Sequence, residues 1–223
     1  MKLTWLGHGG WKLEAEEAVI LIDPWLDGNP AFPADRREEA LSGATHVLLT
    51  HGHDDHTAGV PEMAREKGLP VFTMVELASR LEGVEATGFN KGGTVDLGGV
   101  KATMVPASHS TSYQGSGAGT EVGYVLKGDG KCVYFSGDTG IMADMEWIGA
   151  YFEPDVGILS CGGFYTMDME QAAWAARRFF DFEMVLPSHY RTFPALAQDA
   201  EALKAGLKGV DVVEPEVLVP IEL

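Results

Sequence analysis

The segment that most constrains this chain is Thr50-His51-Gly52-His53-Asp54-Asp55-His56, which follows the apolar run Val47-Leu48-Leu49. Three imidazoles and two carboxylates fall between His51 and His56. Such a string is poor core material, because an unpaired polar group carried into an apolar interior costs about 1–3 kcal/mol on mutational scales. Its donors are also spaced too densely to share one regular face of a helix or strand. It predicts a tight loop at the end of a strand. Imidazole and carboxylate are first-choice ligands for zinc, manganese or iron, and the spacing suits a loop folded around two neighbouring ions.

One loop cannot supply all the ligands two ions need. The other histidines are His8, His46, His109 and His189. Two of these end apolar, strand-like runs: His109 in Val105-Pro106-Ala107-Ser108-His109, and His189 in Met184-Val185-Leu186-Pro187-Ser188-His189. Between them Val133-Tyr134-Phe135-Ser136-Gly137-Asp138 ends another such run on a carboxylate. Separate strand ends each offering a donor point to an α/β architecture, where function gathers at the carboxyl edge of the sheets.

His51-x-His53-x-Asp55-His56, followed by His109, Asp138 and His189, resembles the ligand signature of the metallo-β-lactamase superfamily. Leu3-Thr4-Trp5-Leu6-Gly7-His8, Leu21-Ile22-Asp23-Pro24, Gly137-Asp138-Thr139-Gly140, Gly162 to Met167 and His189 to Pro194 resemble its branch of uncharacterised metal-dependent hydrolases. Relatives of that branch include an ascorbate-6-phosphate lactonase and a phospholipase D. The resemblance runs from about Lys2 to about Asp199. It implies an αββα sandwich, an α/β layered fold, with the site along one edge. It also implies that His51, His53 and His109 hold one metal, that Asp55, His56 and His189 hold the other, and that Asp138 bridges them. Asp55, Asp138 and His189 are then the ligands expected to share in catalysis, with hydroxide generated between the two ions as nucleophile. No Gly-x-Ser-x-Gly elbow competes with that mechanism.

Around these ligands the resemblance and the residue types suggest further roles. Asp23 looks like a carboxylate that accepts the spare N–H of a ligand histidine; the competing reading is a turn carboxylate before Pro24-Trp25. His8, in Gly7-His8-Gly9-Gly10, is expected at a strand end facing the site, as a substrate contact or a hydrogen-bond partner. Ser110 could donate to a bound oxyanion, Tyr165 and Tyr190 could wall a cleft, and Arg191 could anchor a phosphate or carboxylate. Arg191 stands where the branch more often has asparagine. His46 is expected to be structural, and Asp54 solvated or locally bonded.

Composition narrows the class. With 223 residues and 45% apolar content, the chain can bury one sizeable core, and one hydrolase domain over 1–223 is expected. A formal charge of −17 argues against a nucleic-acid partner, which needs a basic footprint. The sequence shows no signal-peptide pattern and no apolar stretch near the roughly 20 residues that span a bilayer, so a cytoplasmic protein with no membrane partner is expected. Cys132 and Cys161 form no metal-finger spacing. The branch is often multimeric, which suggests a homo-oligomer.

Apolar runs predict strands near Lys2–Leu6, Trp11–Glu14, Val19–Ile22, His46–Leu49, Val71–Thr73, Val84–Thr87, Thr94–Leu97, Val100–Val105, Glu121–Leu126, Cys132–Phe135, Val156–Leu159 and Met184–Leu186. Helices are predicted near Asp35–Leu41, Gly59–Lys67, Val75–Leu81, Met142–Ala150, Asp168–Phe182 and Gln198–Leu207, the fifth capped by Thr166 or Asp168. The leading functional expectation is a hydrolase of a small ester, lactone or amide, with two divalent ions: zinc first, manganese or iron as alternatives. A phosphodiesterase is the close competitor. An iron redox protein and a binding module with a decayed site stand further off, since every ligand position is filled.

Overall fold

The computed structural model describes residues 1–223. One sheet collects β1 (Lys2–Trp5), β2 (Trp11–Ala15), β3 (Ala18–Ile22), β4 (His46–Leu48), β5 (Val71–Met74) and β6 (Ala86–Phe89). The second collects β7 (Thr94–Leu97), β8 (Val100–Pro106), β9 (Val122–Gly128), β10 (Lys131–Phe135), β11 (Val156–Ser160), β12 (Met184–Ser188) and β13 (Asp211–Val212). A last strand, β14 (Pro220–Glu222), returns to the first sheet and pairs antiparallel with β1. Both sheets are mixed: antiparallel from β1 to β3 and from β7 to β10, parallel from β3 to β6 and from β10 to β13. Together with the helices they form an α/β layered sandwich, the architecture that the resemblance implied.

The sequence makes the parallel strands where it is most continuously apolar. All residues of β11 are buried, and β3 reads Ala-Val-Ile-Leu-Ile; strands covered on both faces have this composition. The helices are α1 (Arg37–Leu41), α2 (Asp54–Thr57), α3 (Val60–Lys67), α4 (Val75–Ala78), α5 (Met145–Phe152), α6 (Met169–Phe179) and α7 (Glu201–Gly206). A capping box starts α6: the Asp168 carboxylate accepts from the Gln171 amide at 2.7 Å, while the Gln171 side chain accepts from the Asp168 amide. Its buried face is Met169, Ala172, Ala173, Ala175 and Ala176, close to the predicted apolar stripe. No helix is long and apolar enough to cross a membrane.

Three differences from the sequence reading have physical causes. The predicted ligand loop contains a helical turn, α2, because the His53 carbonyl accepts from the amides of His56 and Thr57, each at 3.0 Å. The segment near Asp35 begins as a 3-10 turn, Ala34–Arg36, before α1. Strands β13 and β14 span two and three residues, too short to leave a periodic signal; cross-strand pairing alone defines them.

The architecture sets where the site lies. Chain leaving the carboxyl ends of β1, β3 and β4 in one sheet, and of β8, β10 and β12 in the other, carries His8, Asp23, the His51–His56 segment, His109, Asp138 and His189.

Candidate metal centre

Two donor groups form at this edge. His51, His53 and His109 bring ring nitrogens together within 4.8 Å, and so do His8, Asp55, His56 and His189 with a nitrogen or carboxylate oxygen each. Asp138 lies between them. Its Oδ2 is 3.4 Å from His56 Nε2, 3.1 Å from His189 Nε2 and 3.7 Å from His109 Nε2. Asp55 Oδ2 faces the same space, 3.5 Å from His189 Nε2 and 3.8 Å from His56 Nε2.

Local contacts aim these donors. Asp23 is fully buried; its Oδ1 accepts from the Thr50 amide at 2.8 Å and its Oδ2 from the Thr50 hydroxyl at 2.6 Å. The same Oδ2 lies 2.8 Å from His56 Nδ1, so the imidazole N–H points at Asp23 and Nε2 turns toward Asp138. His8, also fully buried, joins Thr192 Oγ1 through Nδ1 at 2.8 Å and Asp55 Oδ2 through Nε2 at 2.9 Å. Its carbonyl accepts from the His189 amide at 2.9 Å, tying the β1 end to the β12 end.

Backbone strain marks the same places. His8, Asp23 and His189 have φ of 54°, 45° and 56°, a left-handed conformation that costs a non-glycine residue about 1–2 kcal/mol. Strain of this kind gathers at functional sites, where surrounding contacts hold it in place. Close approach also demands glycine beside it: a Cβ on Gly9 would stand 2.8 Å from His56 Cε1.

Electrostatics separates the groups. Burial favours the neutral ring at His51 and is the main reason its pKa falls well below the ordinary value, with His56 adding repulsion. His109 is lowered too, mainly by burial. At His56 burial works in the same direction, but Asp138, Asp23 and Asp55 outweigh it and hold the pKa well above the usual range. His189 is pushed up to about 9, burial again being overcome by Asp138 and Asp55. Burial opposes ionisation of Asp138 and Asp55, yet the neighbouring imidazoles hold both carboxyls well below the carboxylate range.

The donor set fits divalent metal. His56 Nε2 and both ring nitrogens of His189 are buried without a hydrogen-bond partner, although buried polar atoms are nearly always paired. The Nε2 atoms of His56 and His189 face the ionised carboxylates of Asp55 and Asp138, a mixture of donors that suits zinc, manganese or iron.

A cleft of about 680 Å³ opens onto these donors. Trp25, Gly28, Pro30, Asp54, Ala58, Ser110, Tyr165 and Phe193 line it together with His53, Asp55, His109, Asp138 and His189. Ser110 and Tyr165 therefore sit where the sequence suggested. Tyr190 and Arg191 do not. Tyr190 is fully buried and stacks on Trp5 at 5.4 Å between ring centroids. Arg191 reaches Glu214 at 2.9 Å and lies over the Tyr190 ring. The left-handed φ of 56° at His189 and 65° at Arg191 turns the chain, so neighbours of a donor face the core and the surface rather than the cleft. Sequence reasoning missed Trp25, Pro30 and Phe193 as wall residues and Thr192 as the partner of His8. Trp25, Thr192 and Phe193 had one signal, nearness in sequence to Asp23 or His189; Pro30 had none. His46, as expected, lies apart, bonded to Thr45 Oγ1 at 2.8 Å.

The beta-lactamase superfamily domain matches residues 19–190 of this chain. A metal-dependent hydrolase (UPF0173) of Paracoccus denitrificans is 62% identical over 230 residues, with 100% of both chains covered. Among solved structures, a metallo hydrolase from the hyperthermophilic archaeon Ignicoccus hospitalis superposes with a TM-score of 0.86 at 34% identity, covering 100% of this chain and 98% of that one. A possible metal-dependent hydrolase from Veillonella parvula shares the fold, with a TM-score of 0.78 at 22% identity, covering 100% and 99%.

Proposed function

The chain belongs to the beta-lactamase superfamily as a metal-dependent hydrolase, and from that premise we propose that it cleaves a small ester, lactone or amide at a dinuclear centre within one hydrolase domain, residues 1–223. His51, His53 and His109 would hold one ion and Asp55, His56 and His189 the other, with Asp138 within reach of both groups. The observation that carries this reading is the position of Asp138 Oδ2, 3.1–3.7 Å from imidazoles of both groups. Zinc is the first candidate, with manganese or iron next.

Divalent ions bound there would supply Lewis acidity for activating water and polarising the group under attack. The chain's own residues do the rest. Asp23 accepts the His56 Nδ1 proton and fixes that ring's tautomer. His8 holds Asp55 through Oδ2, leaving its carboxylate, with 30% of the side chain exposed, facing the cleft. Ser110 offers a hydroxyl to the oxygen on which charge develops. Trp25 and Phe193 wall the cleft beside the donors and pack on His8.

Protein reconstituted separately with zinc and manganese, assayed on lactones, carboxyl esters and simple phosphodiesters, tests the reaction class. Lactone or ester turnover that disappears in His51→Ala supports the proposal. Turnover confined to phosphodiesters replaces it with the phosphodiesterase reading.

A further inference from the structure

The walls of the cleft say which substrates it suits. No lysine or arginine is among its lining residues. Nearby guanidinium groups are spent elsewhere. Arg191 is taken by Glu214 and the Gln198 carbonyl. Arg80 is taken by the carbonyls of Tyr113, Ser116 and Gly117, on the far side of the Asp54–Ala58 turn. The rim instead carries Asp54, an exposed carboxylate, on a chain whose net charge is already −17. An anionic substituent placed away from the donor cluster would meet repulsion and no counter-charge.

What the walls do offer is aromatic surface. The Trp25 indole N–H is spent on the Asp27 carbonyl at 2.9 Å, so only its ring faces the cleft. Phe193 lies 6.2 Å from Trp25 between centroids, and both rings pack edge-on against His8. Tyr165 stands over His189, at 6.5 Å, and remains 54% exposed, so this part of the wall has uncovered ring face for a ligand to bury. Clefts of several hundred Å³ with apolar walls and a few convergent polar groups take small, largely apolar ligands.

We infer that the substrate carries a neutral, apolar group beside its scissile bond, an aryl or medium alkyl chain lodged between Trp25, Phe193 and Tyr165. This rests on the hydrolase reading above and adds the substrate class. It also removes Arg191 as an anchor for an anionic substrate.

Two measurements test it. Binding is read by saturation-transfer NMR and calorimetry on metal-loaded protein with two ketones that hydrolysis cannot consume: 4-phenylbutan-2-one, neutral and aromatic, and 5-oxohexanoate, anionic. The neutral ketone is expected to bind at least about tenfold more tightly, a preference worth about 1.4 kcal/mol. Trp25→Leu and Phe193→Ala should each erode that preference, and Arg191→Ala should leave it unchanged. Two variants are used so that a folding defect in one, seen by circular dichroism, does not decide the matter. Turnover is then compared for γ-nonanolactone and its analogue with a carboxylate at the chain end, the first being favoured by a similar factor.

Equal or tighter binding of 5-oxohexanoate overturns the inference, as does loss of the preference in Arg191→Ala. Preferred binding of the neutral ketone with no turnover of any ester, lactone or amide breaks the hydrolase reading instead.

Discussion

The two donor groups at the sheet edge live in opposite surroundings. His51, His53 and His109 form an outer group of imidazoles alone, with His53 and His109 partly open to the cleft. The inner group, Asp55, His56 and His189, is packed against Asp23 and Asp138, and its two imidazoles are almost wholly buried, each 1% exposed. His51 and His109 are driven toward the neutral form, mainly by burial, whereas the nearby carboxylates drive His56 and His189 toward the charged form. Buried carboxylates are costly unless a cation compensates them, so the inner group is the place where positive charge is most wanted. The outer group offers only lone pairs and is easier for solvent to reach. The inner ion should therefore bind more tightly, and Asp138 should couple the two.

The largest effect that could break this comparison is loss of the shared carboxylate. Asp138→Ala should bring metal content, by elemental analysis, below one equivalent and hydrolysis to background. Two full equivalents in that variant would mean that the groups are independent. Next comes the order of release. Under graded chelation one equivalent should leave early and the second only at much higher chelator, and His53→Ala should retain one equivalent. Retention of an ion by His56→Ala but not by His53→Ala would reverse the assignment of the tighter site.

Smaller effects sharpen the picture of how the inner group is held. Asp23→Asn leaves Oδ1-type acceptance from Thr50 but weakens the partner of His56 Nδ1. Metal affinity should fall about 10–100-fold, the range for residues that orient a ligand. His8→Ala should fall toward the lower end of that range, because Asp55 loses one hydrogen bond but keeps its other neighbours. An unchanged inner affinity in both variants would mean that burial alone orients the ligands.

The smallest effect concerns metal-free protein. A histidine whose pKa is raised on folding contributes stability that is complete below the unfolded value and lost as pH climbs through the folded one. For His189 that window runs from the ordinary histidine value of 6.5 to about 9. The melting temperature of the metal-free protein should fall across it, and His189→Gln should flatten the fall. A rise in melting temperature over the same interval would remove the inner imidazoles as charged partners of Asp138.

Much of this molecule was legible in its sequence. That His51, His53, Asp55, His56, His109, Asp138 and His189 would gather at one sheet edge was readable, because such side chains are rare at the ends of apolar runs and buried strands need continuous apolar runs. Asp23 was expected, from the family resemblance, beside a ligand histidine, and it lies 2.8 Å from His56 Nδ1. Other features were beyond local pattern. The turn α2 depends on the His53 carbonyl collecting two amides. Strands β13 and β14 exist only through partners distant in sequence, β13 on β12 and β14 on β1.

The sequence by itself determined the chemistry on offer: which donors exist, that they end strands, and that the fold is layered α/β. Only the tertiary structure decided which way each neighbour of a donor points. Tyr190 and Arg191 adjoin His189 yet face core and surface, whereas Trp25 and Phe193, from opposite ends of the chain, meet over His8. The reason is that a left-handed residue redirects a side chain without altering sequence order. A cleft wall is likewise assembled from strand ends that approach one another only when two sheets close on a common core.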